Sequence, residues 1–235
     1  MPNIFNYFAK LSEEKIDLTI KSGRFINQKK AEKKIPSYLK FMMNLKKSDN
    51  IIEIGSGLGN LLIPLNKYVN KATALDHPKI IKNFKERIHH KKKINFISGN
   101  FLNIKISQKF DKVLVYGVLH CLKNFKEVEK FINKTLKITS KNGIIFFGDI
   151  PNNDLKIKFL NSKEGRKFQK KWEKNINQQK FKFRSFKNLV KFNNKNILKI
   201  IEKYNKKKNQ VYLIPQPKDH PFSNTRVDLM IKKYG

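Results

Sequence analysis

Residues 51–60 read Ile51-Ile52-Glu53-Ile54-Gly55-Ser56-Gly57-Leu58-Gly59-Asn60, an apolar run that breaks into three alternating glycines. Leu61-Leu62-Ile63 then resumes an apolar pattern of helical type. A strand turning through glycines into a helix brings a ligand's anionic part against the main chain. Glycine permits backbone angles closed to other residues, and the helix start offers N–H groups without partners of their own. The stretch therefore reads as a nucleotide-type site. Asp76 ends the next apolar run, 76 − 55 = 21 residues after Gly55. That lies near the ~20-residue offset at which a strand-end carboxylate accepts ribose hydroxyl protons. The same carboxylate would serve equally as a cap for a helix starting at Pro78, and the neighbouring His77 reads as either a cofactor-side or a structural residue.

Three more apolar runs end in residues able to do chemistry, and open α/β sheets bind ligands at such strand ends. Ser98-Gly99-Asn100-Phe101 follows Ile94–Ile97. Phe101 offers its ring to a ligand or to the core. Tyr116-Gly117-Val118-Leu119-His120 follows Phe110–Val115. For His120 three roles stand open: lining the cleft, removing a proton as general base, or holding structure. Gly148-Asp149-Ile150-Pro151-Asn152-Asn153-Asp154 follows the fifth run. Asp149 is placed to orient or deprotonate an acceptor hydroxyl. The spacing of the Asp and Asn residues around it does not make a convincing oxygen-ligand set for a divalent ion, and no metal is expected. His220, in the loop Lys218–Asn224, is within reach of the same crevice. His89-His90 reads as a solvated helix end, Cys121 as a small buried group, and the Lys91–Lys93 and Lys206–Lys208 runs as solvated turns.

The elements that would position these residues begin with a helical cap over residues 1–48. Ile4, Phe5, Phe8 and Leu11 form one helical face, Gly23 breaks the pattern, and Ile35, Leu39, Met42, Met43 and Leu45 suggest a second helix around Pro36. This cap either covers the ligand or packs on the sheet edge. From residue 49 strands and helices alternate: strands over 51–54, 72–75, 94–97, 110–115 and 143–148, helices over 78–88 and 125–138. That alternation argues a parallel sheet with helices on both faces. Residues 151–184 are expected to be a polar helical insertion with one helix over Ser162–Asn175. Ser185 then caps a helix carrying Phe186, Leu189, Val190, Phe192, Ile197, Ile200 and Ile201, and strands over Gln210–Ile214 and Arg226–Ile231 close a single domain, 49–235.

The order Glu53-x-Gly55-x-Gly57-x-Gly59 differs from the G-x-G-x-x-G of dinucleotide enzymes. It resembles motif I of class I S-adenosylmethionine (SAM) dependent methyltransferases, and Asp111 to His120 resembles motif IV of their small-molecule members. The resemblance implies a Rossmann-like, doubly wound seven-stranded sheet, mostly parallel, with the last strand antiparallel. It implies SAM as cofactor, held by Glu53, Gly55, Gly57, Gly59, Asp76, His77, Asn100, Phe101 and Tyr116. The family usually places an acidic residue toward the adenine amino group where Asn100 stands, and an Asn carbonyl accepts the same hydrogen bond. Base-amino and some rRNA enzymes carry N/D-P-P-Y after the fourth strand. Tyr116-Gly117-Val118 departs from it, which argues against adenine-N6 chemistry. The implied function is methyl transfer to a small anionic or carbohydrate acceptor, an O-methylation with His120 or Asp149 as proton acceptor. An RNA methyltransferase and a SAM-binding protein without catalysis are the alternatives. The segments Gly148–Asn152, Ser162–Gly165 and Pro215–Pro217 before His220 resemble methyltransferases of bacterial surface-carbohydrate gene clusters.

Composition bounds these readings. The 235 residues suit one domain with a full core, and a mean hydropathy of −0.58 suits a soluble protein. No run reaches the ~18 apolar residues of a membrane span, no signal peptide is expected, and one cysteine fits a reducing cytoplasm. The formal charge of +34 invites a polyanion such as RNA. Yet the basic residues are almost all lysine, and arginine is confined to Arg24, Arg87, Arg166, Arg184 and Arg226. Nucleic-acid sites favour the arginine fork, whereas abundant Lys, Asn and Ile match a bias toward AT-rich codons. The charge is therefore read as codon bias before a polyanion site; it would still attract a small anionic acceptor, nucleic acid is a possible but not favoured partner, and no membrane partner is expected.

Overall fold

A computed structural model describes residues 4–88, 93–177, 186, 189–206 and 208–234. Seven strands form one sheet: β1 Asn50–Ile54, β2 Lys71–Asp76, β3 Ile94–Ser98, β4 Phe110–Tyr116, β5 Thr139–Pro151, β6 Asn209–Pro215 and β7 Arg226–Lys233. Their order is β3-β2-β1-β4-β5-β7-β6. β1 to β5 pair in parallel, and β7 runs antiparallel between β5 and β6. This is the doubly wound, Rossmann-like sheet expected from the strand–helix alternation. Its chain order reverses at β1, between β2 and β4, which is where such sheets open a crevice for ligands.

Successive strand residues point to opposite faces, and the apolar runs fill two cores. Ile52, Ile54, Val113, Val115, Ile145 and Phe147 face one core, closed by helices α7 (Phe125–Ile138) and α10 (Asn194–Tyr204). Ile51, Leu114, Ile144 and Phe146 face the other, closed by α4 (Ile35–Met42), α5 (Leu62–Leu65) and α6 (Pro78–Ile88). The N-terminal α1 (Ile4–Glu13), α2 (Leu18–Lys21) and α3 (Lys29–Glu32) lead into α4.

The helical segment expected after the glycines is the four-residue α5, and a 3-10 turn over Asn66–Tyr68 follows it. Two elements differ from the sequence reading. Between β5 and α10 stand two helices, α8 (Asn153–Asn161) and α9 (Lys163–Asn177), where one was expected. α8 buries no residue, so it leaves no apolar period; it starts because the Asn152 side chain accepts the Asp154 and Leu155 N–H groups. α10 begins at Asn194, where Asn193 and Asn196 cap each other reciprocally. Val190 and Phe192 enter the core from the extended segment before it. Ser185, His89, His90, Lys91, Lys92, Arg184 and Lys207 lie outside the described residues.

Candidate active site

A cavity of about 540 Å³ opens at the carboxyl ends of the central strands. Its first wall is the glycine loop. Gly55, Gly57 and Gly59 all have left-handed backbones, with φ of 78°, 53° and 79°, but for different reasons. A Cβ on Gly55 would stand 2.4 Å from Val118 Cγ2, and one on Gly59 would stand 2.0 Å from Phe84 Cζ. Gly57 meets nothing within 4 Å. The outer glycines are demanded by packing, and the middle one turns its bare backbone to the cavity.

Asp76 ends β2 beside this loop. Its carboxylate accepts the Gly57 N–H at 2.8 Å and the His77 N–H at 2.6 Å. Burial nevertheless raises its pKa to about 6, against the pull of those two bonds. Glu53 is buried beneath the loop, and its Oε2 has no hydrogen-bond partner among the described residues. Burial, reinforced by the Asp76 charge, holds the Glu53 pKa well above the usual carboxylate range. Asn100 and Phe101 line the same end of the cavity. The Asn100 carbonyl already accepts the Leu102 N–H at 2.9 Å, which leaves it one lone pair. Phe101 does both things open to it: it lines the cavity and packs against Phe131, with ring centroids 4.7 Å apart. His77 stands outside the cavity wall. Its Nδ1 accepts the Lys79 N–H at 3.1 Å, and its ring lies 4.8 Å from that of Phe5.

The second end is built around Asp149. A bulge between Phe147 and Ile150 on β5 puts Asp149 in the left-handed region at φ 62° and aims it inward, a common use of bulges near sites. Asp228 Oδ1 accepts the Asp149 N–H at 2.8 Å and fixes that backbone. Gly148 is required because the Tyr116 ring covers it: a Cβ there would sit 2.2 Å from Tyr116 Cδ2. Arg24 Nη2 donates to Asp149 Oδ2 at 3.0 Å. Arg226 Nη1 donates to the Asp149 carbonyl at 3.2 Å, and its Nε stands 3.7 Å from Oδ1. Burial opposes ionisation of Asp149, but the charges of Arg24 and Arg226 overcome it and hold its pKa below the usual value. His120 sits on a 3-10 turn, Leu119–Cys121, in the same wall. Burial, aided by Arg226, lowers its pKa to about 4, so its imidazole is neutral near pH 7. His220 packs on Tyr38, with ring centroids 4.8 Å apart, and does not line the cavity.

The N-terminal segment covers both ends. Ile4, Phe5 and Phe8 of α1 line the cavity. Glu32 ties the segment down: Oε1 accepts from Ser22 Oγ at 2.6 Å and from Asn60 Nδ2 at 3.3 Å, and lies 4.0 Å from Arg24 Nε. Arg87 Nη1 donates to Asn60 Oδ1 at 2.8 Å and to the Leu58 carbonyl. Arg24, Glu32, Phe222 and Arg226 were not singled out from the sequence as site residues. The signal that would have found two of them is the scarcity of arginine itself: in a chain that uses lysine almost everywhere, Arg24, Arg87 and Arg226 all stand at this cavity or its glycine loop.

The cavity's first end fits SAM. It offers an open glycine backbone at Gly57, a strand-end carboxylate at Asp76 and an unpartnered buried carboxyl oxygen on Glu53. Comparison with known proteins agrees. A family model described as ribosomal RNA adenine dimethylase matches residues 23–164, more than half of the chain. A curated relative, ribosomal RNA small subunit methyltransferase A of Wigglesworthia glossinidia brevipalpis, is 33% identical over 100 residues. That alignment spans 40% of this chain and only 37% of the relative. Solved structures share the fold at lower identity. N-methyltransferase NodS of Bradyrhizobium japonicum, in complex with S-adenosylhomocysteine (SAH), is 12% identical with a TM-score of 0.63, covering 99% of both chains. Phosphoethanolamine N-methyltransferase 1 of Haemonchus contortus, with phosphoethanolamine and SAH, is 13% identical with a TM-score of 0.72, covering 97% of this chain and 48% of that one. Magnesium protoporphyrin IX methyltransferase of Synechocystis, with SAH, is 13% identical with a TM-score of 0.61, covering 98% of both chains. Matched over residues 23–164 and folded on this sheet, the chain is a class I SAM-dependent methyltransferase and belongs to the ribosomal RNA adenine dimethylase family.

Proposed function

We propose that the enzyme methylates a small anionic acceptor held at the arginine-walled end of the cavity. One observation carries this reading: Arg24 and Arg226 converge on buried Asp149 inside a cavity roofed by the N-terminal segment. A covered end that sets two arginines about one carboxylate suits a compact acid, such as a phosphorylated or acidic sugar, better than a polynucleotide strand.

When bound, SAM supplies an activated methyl group. Gly57, Asp76, Glu53, Asn100 and Phe101 would hold it, and the protein's own task is alignment. Fixing two reactants in line is worth roughly 7–11 kcal/mol of barrier. The Asp149 carboxylate is ionised near neutral pH, and its Oδ1 has no hydrogen bond, only the Arg226 Nε at 3.7 Å, so it orients an acceptor hydroxyl or amine and takes its proton. His120, neutral but weakly basic, serves in the same place as a hydrogen-bond partner. The roof excludes water from the reacting atoms.

A second reading, methyl transfer to RNA, draws on the family match, on the curated relative's printed name and on the +34 charge. Against it stands the exit of β4, where Tyr116-Gly117-Val118 replaces the N/D-P-P-Y of adenine-N6 enzymes. The test is methyl transfer from tritiated SAM to a cell extract treated with nuclease and passed through a small-pore filter. The proposal expects label in the filtrate. It falls if only the untreated, RNA-containing retentate accepts label.

A further inference from the structure

Three buried polar atoms in the second end of the cavity have no hydrogen-bond partner among the described residues: Asp149 Oδ1 and Arg226 Nε, which stand 3.7 Å apart as an ion pair, and His120 Nδ1. Glu53 Oε2 and Ser56 Oγ, also unpartnered, belong to the glycine-loop end. Buried polar groups are as a rule paired, so three in one wall describe what the wall is built to receive. Arg226 Nε is a donor. Asp149 Oδ1 is an acceptor, and the neutral His120 ring has one acceptor nitrogen. The wall is held in place from behind. Arg24 and Asp228 fix Asp149. The Arg226 guanidinium lies 5.3 Å from the centre of the Phe222 ring. Phe222, like Asp149, has a left-handed backbone, at φ 59°. A bulky side chain there is strained, and such strain gathers at functional sites.

Building on the small-acceptor reading, we infer that this wall is a subsite for an acceptor with an O–H or N–H donor beside an anionic oxygen. Arg226 takes the anionic oxygen, and Asp149 Oδ1 with His120 takes the donor. The chemistry is that of a singly protonated phosphate group or of a hydroxy or amino carboxylate. The Asp149 carboxylate is the selecting element. It accepts a hydrogen bond from an acid that still carries a donor, and it repels an anion that has none. A lysine-rich surface would make no such distinction.

That difference gives the test. Matched pairs of probes are titrated calorimetrically onto the SAH-loaded protein at near-neutral pH and constant ionic strength. Inorganic phosphate, which keeps an O–H, is set against sulfate, which has none, and glycolate is set against acetate. The donor-bearing partner of at least one pair should bind saturably, one per chain, and at least about tenfold tighter, the scale of one hydrogen bond to a charged group. Which pair discriminates tells a phosphate acceptor from a carboxylate one. Arg226→Gln should lose that binding, Arg226→Lys should keep part of it, and Lys126→Gln, on the exposed face of α7, should leave it unchanged. If neither pair discriminates on the wild-type protein, the subsite is refuted, whether or not the variants fold. A folded Arg226→Gln protein that binds like wild type refutes it as well. These are binding measurements without turnover, so methyl label found only on RNA would defeat the small-acceptor reading and leave them unaffected.

Discussion

Gly57 and Gly59 are two residues apart and answer to different physics. Gly59 is closed by the Phe84 ring, so Gly59→Ala combines a left-handed alanine with overpacking of a buried aromatic. It should cost about 2–4 kcal/mol in urea unfolding. Gly57 faces open cavity. Gly57→Ala should cost about 1–2 kcal/mol, from the backbone alone, and should mainly weaken SAH binding. Equal stability losses without loss of SAH affinity would contradict the division. Asp76 makes a prediction of its own. Ribose hydroxyls donate to the ionised carboxylate, so binding should draw its pKa down from about 6. SAH affinity is then full above that pH and lost as pH falls below it, by up to ~tenfold per unit. Calorimetry across this range checks the sign, and Asp76→Asn should abolish the dependence. These two roles were visible in the sequence because glycine spacing and a strand-end acid are local patterns. The Arg24–Asp149 pair was not, since its members are 125 residues apart and meet only through the fold. Nor could sequence show that Asp149 and Phe222 adopt left-handed backbones.

At the scale of elements, the parallel strands were legible because burial on both faces makes them continuous apolar runs, as in Val113–Val115 and Ile144–Phe147. α7 was legible to the residue, since Val128, Phe131, Ile132, Thr135 and Ile138 keep a helical period. α8 was not, because its start is set by the Asn152 side chain and it buries nothing. In the roof, α1 was legible from the face of Ile4, Phe5, Phe8 and Leu11, whereas α2 and the attachment of the segment to Glu32 were hidden in polar contacts. Glu32 receives Ser22 and Asn60 and stands by Arg24. Glu32→Ala should therefore lower stability by about 1–3 kcal/mol, the scale of a lost hydrogen bond to a buried charge. It should also speed SAH release, measured by stopped-flow fluorescence. Release and melting both unchanged would mean that the roof is held by its apolar face alone.

For the whole molecule the dominant feature is the charge of +34. Lysines on a surface bind phosphates through counterion release and read no sequence. RNA should therefore bind this protein with an affinity that falls linearly with salt on logarithmic axes, alike for unrelated sequences, by fluorescence anisotropy. Tight binding of one RNA sequence at physiological salt would contradict that. Among the described residues no helix is long and apolar enough to cross a membrane. The choice between acceptors rests on the covered arginine end of the cavity against the family's RNA-directed description. The most direct measurement offers both at once. The enzyme, a limiting dose of tritiated SAM, unmethylated small-subunit rRNA and a nucleic-acid-free pool of small metabolites are combined, and the label is counted in each fraction. The account predicts label in the small molecules with little on RNA. Label recovered chiefly as N6-methylated adenosine from the RNA would contradict it.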